Sequence, residues 1–70
     1  MKGFSMAEQY HVKLVDDTWI VKGARNDKAY RVLDYKNHAI VIGRRVAQNQ
    51  GAELVIYDRD GKVQRRIRYT

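Results

Sequence analysis

The chain has 70 residues, enough for one domain with a small hydrophobic core. It contains no cysteine, which excludes disulfide bridges and thiolate zinc sites, and its 44% hydrophobic and 31% charged residues argue against an intrinsically disordered chain. With 14 Lys+Arg against 8 Asp+Glu, the formal net charge is +6. This balance favours polyanionic partners, although it also serves solubility alone.

The N-terminal residues show neither a signal peptide nor a membrane span. Residues 1–8 contain one lysine and no apolar stretch, and no apolar run in the chain reaches the roughly 18 residues that a span needs. We therefore expect a flexible lead-in over residues 1–8 and a single small domain over residues 9–70. We also expect a cytoplasmic protein with no membrane partner, in keeping with the absence of cysteine.

Residues 9–15 and 18–23 are predicted to form an antiparallel hairpin. Apolar and polar residues alternate in the first segment, and the two aspartates at 16–17 favour a two-residue turn. This turn places Leu14 opposite Trp19 and brings the apolar residues of both segments to one face, which supports the register.

Residues 29–33 are predicted to form a short third strand. A turn at residues 26–27 would pair Val21 with Val32 and direct Tyr30 and Val32 to the core. The alternative is that the stretch ARNDK forms a longer loop.

A helix is predicted over residues 35–50, with Asp34 as its N-cap and Gly51 ending it. Its small and apolar residues follow helical spacing and define the buried face: Ala39, Ile42, Gly43, Val46 and Ala47. The run of β-branched residues from Ile40 to Ile42 favours a strand instead, and this is the competing prediction.

The C-terminal stretch, AELVIYDRDGKVQRRIRYT, reads as a hairpin. Asp60-Gly61 indicates a two-residue turn, which would pair Asp58 with Val63. The predicted inner face comprises Leu54, Ile56, Val63, Ile67 and Tyr69, and the outer face comprises Val55, Tyr57, Gln64, Arg66 and Arg68. Arg65 would then pair with Ile56 on the inner face, near the sheet edge. A three-residue turn with a glycine bulge is the alternative, and it would exchange the faces of residues 54–57.

These elements predict an α+β fold of order β-β-β-α-β-β, with a single antiparallel sheet and one helix packed on one face. The other face of the sheet would then meet water. The polar residues predicted there are His11, Lys13, Lys22, Arg31, Gln64, Arg66 and Arg68. Most acidic residues instead fall in turns or at the helix start.

This basic sheet face suggests a nucleic-acid-binding surface, because cations bind phosphates and rings stack on bases. The candidate contacts are Lys13, Lys22, Arg31, Arg66 and Arg68 for phosphates and Tyr57 for stacking, on either DNA or RNA. Trp19 is a further aromatic ring, but its pairing favours a place in the core. The competing interpretation is a solvated face, since Lys and Arg on exposed strands prevent sheet edges from aggregating.

The sequence shows no catalytic constellation, and we do not expect an enzyme. No nucleophile elbow surrounds a serine or threonine, and His11 and His38 lack metal-ligand spacing with Asp16 or Asp34. No metal, cofactor or small-molecule substrate is predicted.

Several stretches resemble a family of very short bacterial and phage proteins classed as a domain of unknown function. They are the YHV and WIVK strands, the helix end AQNQG and the segment AELVIYDRDGKVQ, from about Tyr10 to Gln64. The motif positions are Trp19, Ala39, Gly51, Leu54, Asp60 and Gly61. The resemblance implies a bacterial or phage-borne cytoplasmic protein with this element order. The family has no assigned activity, so the resemblance implies none for this chain. The chain departs from the family in the basic RRIRY and in YKNHA at the helix start.

The alternative function is a protein-interaction or homodimerisation module. An apolar strip on the open face would pack against a second sheet, and its predicted members are Val15, Ile20, Leu33, Val55 and Tyr57. A further alternative is a phage or mobile-element accessory protein that blocks a host factor.

Overall fold

A computed structural model describes residues 9–24 and 31–69. In chain order its elements are β1 (Gln9–Val15), β2 (Thr18–Gly23), β3 (Arg31–Leu33), α1 (Lys36–Gln50), β4 (Glu53–Tyr57) and β5 (Val63–Arg68). The α+β class and the predicted element order are confirmed. The predicted lead-in over residues 1–8, the turn at residues 26–27 and Tyr30 lie outside the described residues.

The five strands form one mixed sheet, so the predicted purely antiparallel sheet is wrong. The spatial order is β3-β2-β1-β4-β5. β1 is antiparallel to β2 but parallel to β4, and β3 is antiparallel to β2. β3 and β4 are therefore parallel to each other. The intervening helix makes this possible, because it returns the chain to the end of the sheet where β3 began.

The β1–β2 hairpin has the predicted register. Leu14 pairs with Trp19 across the two-residue turn. Asp16 and Asp17 both have positive φ angles, 50° and 66°, as a type I′ turn requires. The Thr18 hydroxyl donates a hydrogen bond of 2.8 Å to the Val15 carbonyl and closes the turn.

β3 is shifted by one residue from its predicted register. Val32 pairs with Ile20, not with Val21, and Arg31 takes the position opposite Val21. A shift of one residue exchanges the faces of a strand, so Val32 is on the face away from α1 and is 60% exposed. The shift lets the larger Leu33 pack against the core in place of Val32.

The predicted helix forms and buries the predicted face. Ala39, Gly43, Val46 and Ala47 are buried against the sheet, which rules out the competing strand. The helix ends at Gly51, whose φ of 63° is left-handed. Its C-terminal carbonyls are satisfied there by the amides of Gly51 and the residue after it, at 3.3 and 2.8 Å. No helix in the described ranges is long and apolar enough to span a bilayer.

The helix start differs from the prediction. Its N-cap is Tyr35, with extended backbone angles, and no side chain caps the first turn. Asp34 lies one residue too early to accept from that turn, so its predicted role as N-cap is wrong.

The β4–β5 hairpin has a three-residue turn, so the predicted two-residue turn is wrong. The Asp58 amide donates to the Lys62 carbonyl at 2.8 Å, and the Gly61 amide donates to the Asp58 carbonyl at 3.1 Å. Gly61 has a φ of 86°, which suits the last position of this turn. The Asp58 carboxylate also accepts from the amides of Asp60 and Lys62, both at 2.9 Å.

The three-residue turn shifts the pairing of β4 with β5 by one residue, and a second shift between Ile56 and Tyr57 cancels it. From Ile56 toward the start of β4 the two strands therefore pair in the predicted register. Leu54 pairs with Ile67 as predicted, but Tyr57 pairs with Val63. The predicted pair of Asp58 with Val63 is therefore wrong, and Val63 is on the face away from α1, 46% exposed. Gln64 is displaced to the α1 side, where it accepts from the Lys36 ammonium at 2.6 Å.

The hydrophobic core lies between α1 and the sheet. Its buried members are Val12, Trp19, Val21, Ala39, Val46, Ala47, Ala52, Leu54 and Ile56. Leu54 and Ile56 are on this inner side, as predicted. Trp19 is only 6% exposed, so its ring belongs to the core and is not free to stack on a ligand.

Candidate nucleic-acid interface

The face of the sheet opposite α1, here called the open face, carries side chains from all five strands. Strand register places these side chains in rows that cross the sheet. The middle row, from β2 to β5, comprises Lys22, His11, Val55 and Arg66. A second row, nearer the β1–β2 turn, comprises Val32 on β3, Ile20 on β2, Lys13 on β1, Tyr57 on β4 and Val63 on β5. A third row, on the opposite side of the middle row, comprises Gln9, Glu53 and Arg68.

Five of the six predicted site residues are on this face. Lys13, Lys22 and Tyr57 line one shallow pocket of about 170 Å³. Arg66 is at the β5 end of the middle row, and Arg68 extends the face along the β5 edge.

The prediction that Arg31 is on the open face is wrong. It pairs with Val21, whose side chain faces the helix. Arg31 instead lines a groove on the α1 side with Ile42 and Arg45. The shifted register of β3 is the physical reason.

The predicted apolar strip on the open face does not form. Leu33 packs toward the core on the opposite side of the sheet. Val55 is on the open face, but only 1% of it is exposed, because the side chains around it cover it. Val15 and Ile20 remain on this face, but Ile20 is on β2 and is separated from Tyr57 on β4 by β1, which carries the charged Lys13 between them.

His11 and Tyr57 form a ring pair at the centre of the open face. The His11 Nδ1 and the Tyr57 hydroxyl are 2.9 Å apart, within hydrogen-bonding distance. The ring centroids are 5.6 Å apart and the planes are tilted by 37°. Sequence alternation places His11 on this face, but only the pairing of β1 with β4 shows that it contacts Tyr57.

The surroundings of His11 are electropositive. Burial lowers the pKa of the His11 imidazole below its usual 6.5. The positive charges of Lys13, Lys22 and Arg66 lower this pKa further, and Glu53 acts in the opposite direction. The imidazole is therefore largely neutral at neutral pH.

Glu53 is the only carboxylate on the open face within the described residues. Its Oε1 accepts a hydrogen bond of 2.6 Å from the Gln9 amide and lies 3.4 Å from the Arg66 Nη1. Among the described parts of the chain, Arg66 is the one open-face cation in an ion pair. Lys13, Lys22 and Arg68 thus keep most of their charge available to a ligand.

A second polar cluster lies on the α1 side, at the start of the helix. The Lys36 ammonium is 4.9 Å from the centroid of the Trp19 ring and also contacts Gln64. Three acidic residues line the groove beside it: Asp17, Asp34 and Asp58. Among residues 9–24 and 31–69, no group of three or more His, Cys, Asp and Glu side chains is arranged to hold a metal ion. Because this cluster mixes a cation with three acidic side chains, the open face is the stronger candidate for binding an anion.

Comparison with known proteins identifies the family but no characterised relative. Neither a curated protein nor a solved structure matches the chain. Residues 10–69 match the model of a family described as "Uncharacterized protein conserved in bacteria (DUF2188)". The match runs from Tyr10 in β1 through β5 and includes the segments that resemble such a family. The chain therefore belongs to this bacterial family of unknown function.

Proposed function

We propose that this protein binds nucleic acid through the open face, mainly by contacts to phosphates, in the cytoplasm. The observation that carries the proposal is the unequal distribution of charge on this face. Four cations, Lys13, Lys22, Arg66 and Arg68, share it with one described carboxylate, Glu53. Each cation that neutralises a phosphate releases condensed counterions, which is the main source of affinity in such complexes.

The spacing of the cations suits a nucleic-acid backbone. Lys22 and Arg66 are at opposite ends of the middle row, three strand spacings apart, or about 14 Å. In duplex geometry, where each strand rises about 3.4 Å per nucleotide along the helix axis, this distance corresponds to roughly four nucleotides, and a more extended single strand would cover it with fewer. Lys13 projects from the central strand between them. The proposed contacts therefore follow one short stretch of backbone.

Sequence-specific recognition is not part of the proposal. The only described helix, α1, packs its buried face against the sheet on the side opposite the open face. The described residues therefore place no helix beside the open face that could read base edges in a groove. Phosphate contacts position a protein on nucleic acid without carrying sequence information. Binding is therefore expected to be similar for different sequences.

The test compares two double variants that remove the same charge from different faces. Lys13→Ala with Lys22→Ala acts on the open face, whereas Arg44→Ala with Arg45→Ala acts on exposed positions of α1. Fluorescence anisotropy with labelled DNA and RNA, over about 50 to 200 mM salt, gives the affinity and its salt dependence.

If all four cations contact phosphates, the slope of log K against log salt is about −2.8 for a single strand. The open-face variant should reduce this slope to about −1.4, since two contacts are lost, and the helix variant should leave it nearly unchanged. Equal effects of the two variants would mean that the binding is only non-specific electrostatic attraction and does not depend on the open face. No saturable binding near physiological salt would refute the proposal.

Homodimerisation through the open face is the alternative that this experiment must exclude. Light scattering on the same samples measures the oligomeric state. A tight dimer that loses its stability when Tyr57 or Arg66 is replaced would mean that the open face is an interface between copies of the chain.

A further inference from the structure

We infer that the nucleic acid is single-stranded and that one unpaired base stacks at the His11–Tyr57 ring pair. This inference rests on the proposed function, and it adds the class of nucleic acid and the residues that distinguish it. Lys13 and Lys22, beside the rings, then hold the phosphates that flank the bound base.

The ring pair lies in the pocket on the open face. Besides the two rings, the pocket is lined by Lys13, Lys22, Gly23 and Ala24. Gly23 has no side chain and Ala24 only a methyl group, so the β2 end of the pocket is left open. The volume of about 170 Å³ is on the scale of a single planar base. A base entering there meets aromatic surface on one side and ammonium groups around its edge.

The ring pair is held in place before any ligand arrives. The hydrogen bond between the His11 Nδ1 and the Tyr57 hydroxyl, 2.9 Å long, fixes both side chains relative to each other. Both rings are half-buried, so the ligand contacts ordered side chains and little conformational entropy is lost on binding. The neutral imidazole adds apolar contact area without repelling the neighbouring ammonium groups.

A duplex does not fit this arrangement. In a double helix the face of each base is covered by its stacked neighbours, and only edges are available in the grooves. An aromatic side chain on a sheet therefore stacks only on bases that are already unpaired. A duplex would still contact the cations, but it would gain nothing from the rings.

The rings also suit any of the bases. Stacking on an aromatic side chain depends on the π face, which every base has. The inference thus agrees with the absence of sequence-specific recognition.

The experiment measures single-strand and duplex affinity for Tyr57→Leu, with Tyr35→Leu as the matched control. Tyr35 is an exposed tyrosine at the N-terminus of α1, away from the open face. Tyr57→Leu should weaken single-strand binding about tenfold, in the range measured for loss of one stacked base, and should weaken duplex binding much less. Tyr57→Phe, which keeps the ring, should restore most of the single-strand affinity.

A second measurement on the unaltered protein guards against misfolding of the variant. The ring protons of His11 should shift upfield in NMR spectra when a single strand is added, because a stacked base places them in its ring current. A duplex should not cause this shift.

The outcomes separate this inference from the proposed function. If single strands and duplexes bind equally and the His11 protons do not distinguish them, the inference is wrong, while loss of binding in the Lys13/Lys22 variant still supports phosphate contacts. If that variant behaves like the Arg44/Arg45 control, both are wrong. Loss of single-strand affinity in Tyr57→Leu but not in Tyr35→Leu supports both.

Discussion

Gly43 allows α1 to lie close to the sheet, and replacing it with alanine should destabilise the protein. A Cβ at this position would be 2.9 Å from the Val12 Cγ2 and 3.0 Å from the Leu54 Cδ1. Both neighbours are fully buried, and the branched Val12 side chain has little freedom to change its rotamer. The added methyl group therefore overpacks a core that has no room for it.

Two opposing effects set the magnitude. Alanine in a helix is favoured over glycine by about 1 kcal/mol. Overpacking of a core typically costs about 1–3 kcal/mol. For Gly43→Ala we expect a net loss of about 1 kcal/mol in the free energy of unfolding, which for a domain of this size lowers Tm by about 4–8 °C.

The sign of this effect should reverse when the space is provided. Val12→Ala removes the methyl group that the new Cβ would meet, at a cost of roughly 2 kcal/mol by itself. In that background Gly43→Ala should be stabilising, because the helix propensity remains and the methyl group fills the cavity. Leu54 keeps enough rotamer freedom to move by a few tenths of an ångström.

Urea unfolding monitored by circular dichroism gives the four free energies of this cycle. Trimethylamine N-oxide added equally to all samples keeps the Val12→Ala protein folded, since it raises the stability of every variant. Stabilisation by Gly43→Ala in the unaltered background, or the same sign in both backgrounds, would refute the close packing of α1 on β1.

Three further predictions concern charge. The pKa of His11, lowered in the free protein, should rise when an oligonucleotide binds, because phosphates offset the neighbouring cations. Affinity should then increase as the pH falls between the free and bound values, and NMR titration measures both. Glu53→Gln keeps an acceptor for Gln9 but removes the negative charge beside Arg66, and we expect nucleic-acid binding about 0.2–1 kcal/mol tighter by anisotropy. The pKa of Asp58 is lowered mainly by the backbone amide of the residue four positions on. Its contribution to stability is therefore present above the ordinary aspartate pKa and is lost as the pH falls through the lowered value, so unfolding curves of Asp58→Asn should lack that loss.

Local chemistry was sufficient to predict the elements whose backbone is determined by a few neighbouring residues. The two aspartates at 16–17 tolerate positive φ angles, and their turn fixed the register of β1 and β2. Gly51 ended the helix for the same reason. The small residues of α1 identified its buried face despite the β-branched run, because packing against the sheet outweighs intrinsic helix propensity.

The predicted strand register was wrong where the pairing depends on backbone irregularities or on loop length. In the C-terminal hairpin a three-residue turn and a bulge offset each other, so Leu54 and Ile56 are inside although the turn type was wrong. Each irregularity moved one residue to the other face, which explains the placements of Val63 and Gln64. The misplacement of Arg31 has the same origin, since a shift of one residue exchanges both faces of β3.

The candidate site depends on the one feature that side-chain alternation does not encode, the parallel pairing of β1 with β4. His11 and Tyr57 are 46 residues apart in sequence and lie on strands that antiparallel hairpins alone would not bring together. Alternation places both residues on the open face under either sheet topology. Only the passage of α1 over the sheet makes β4 the neighbour of β1, and this adjacency brings the two rings within hydrogen-bonding distance. The same helix thus covers the inner face of the sheet and assembles the proposed binding surface on the outer face.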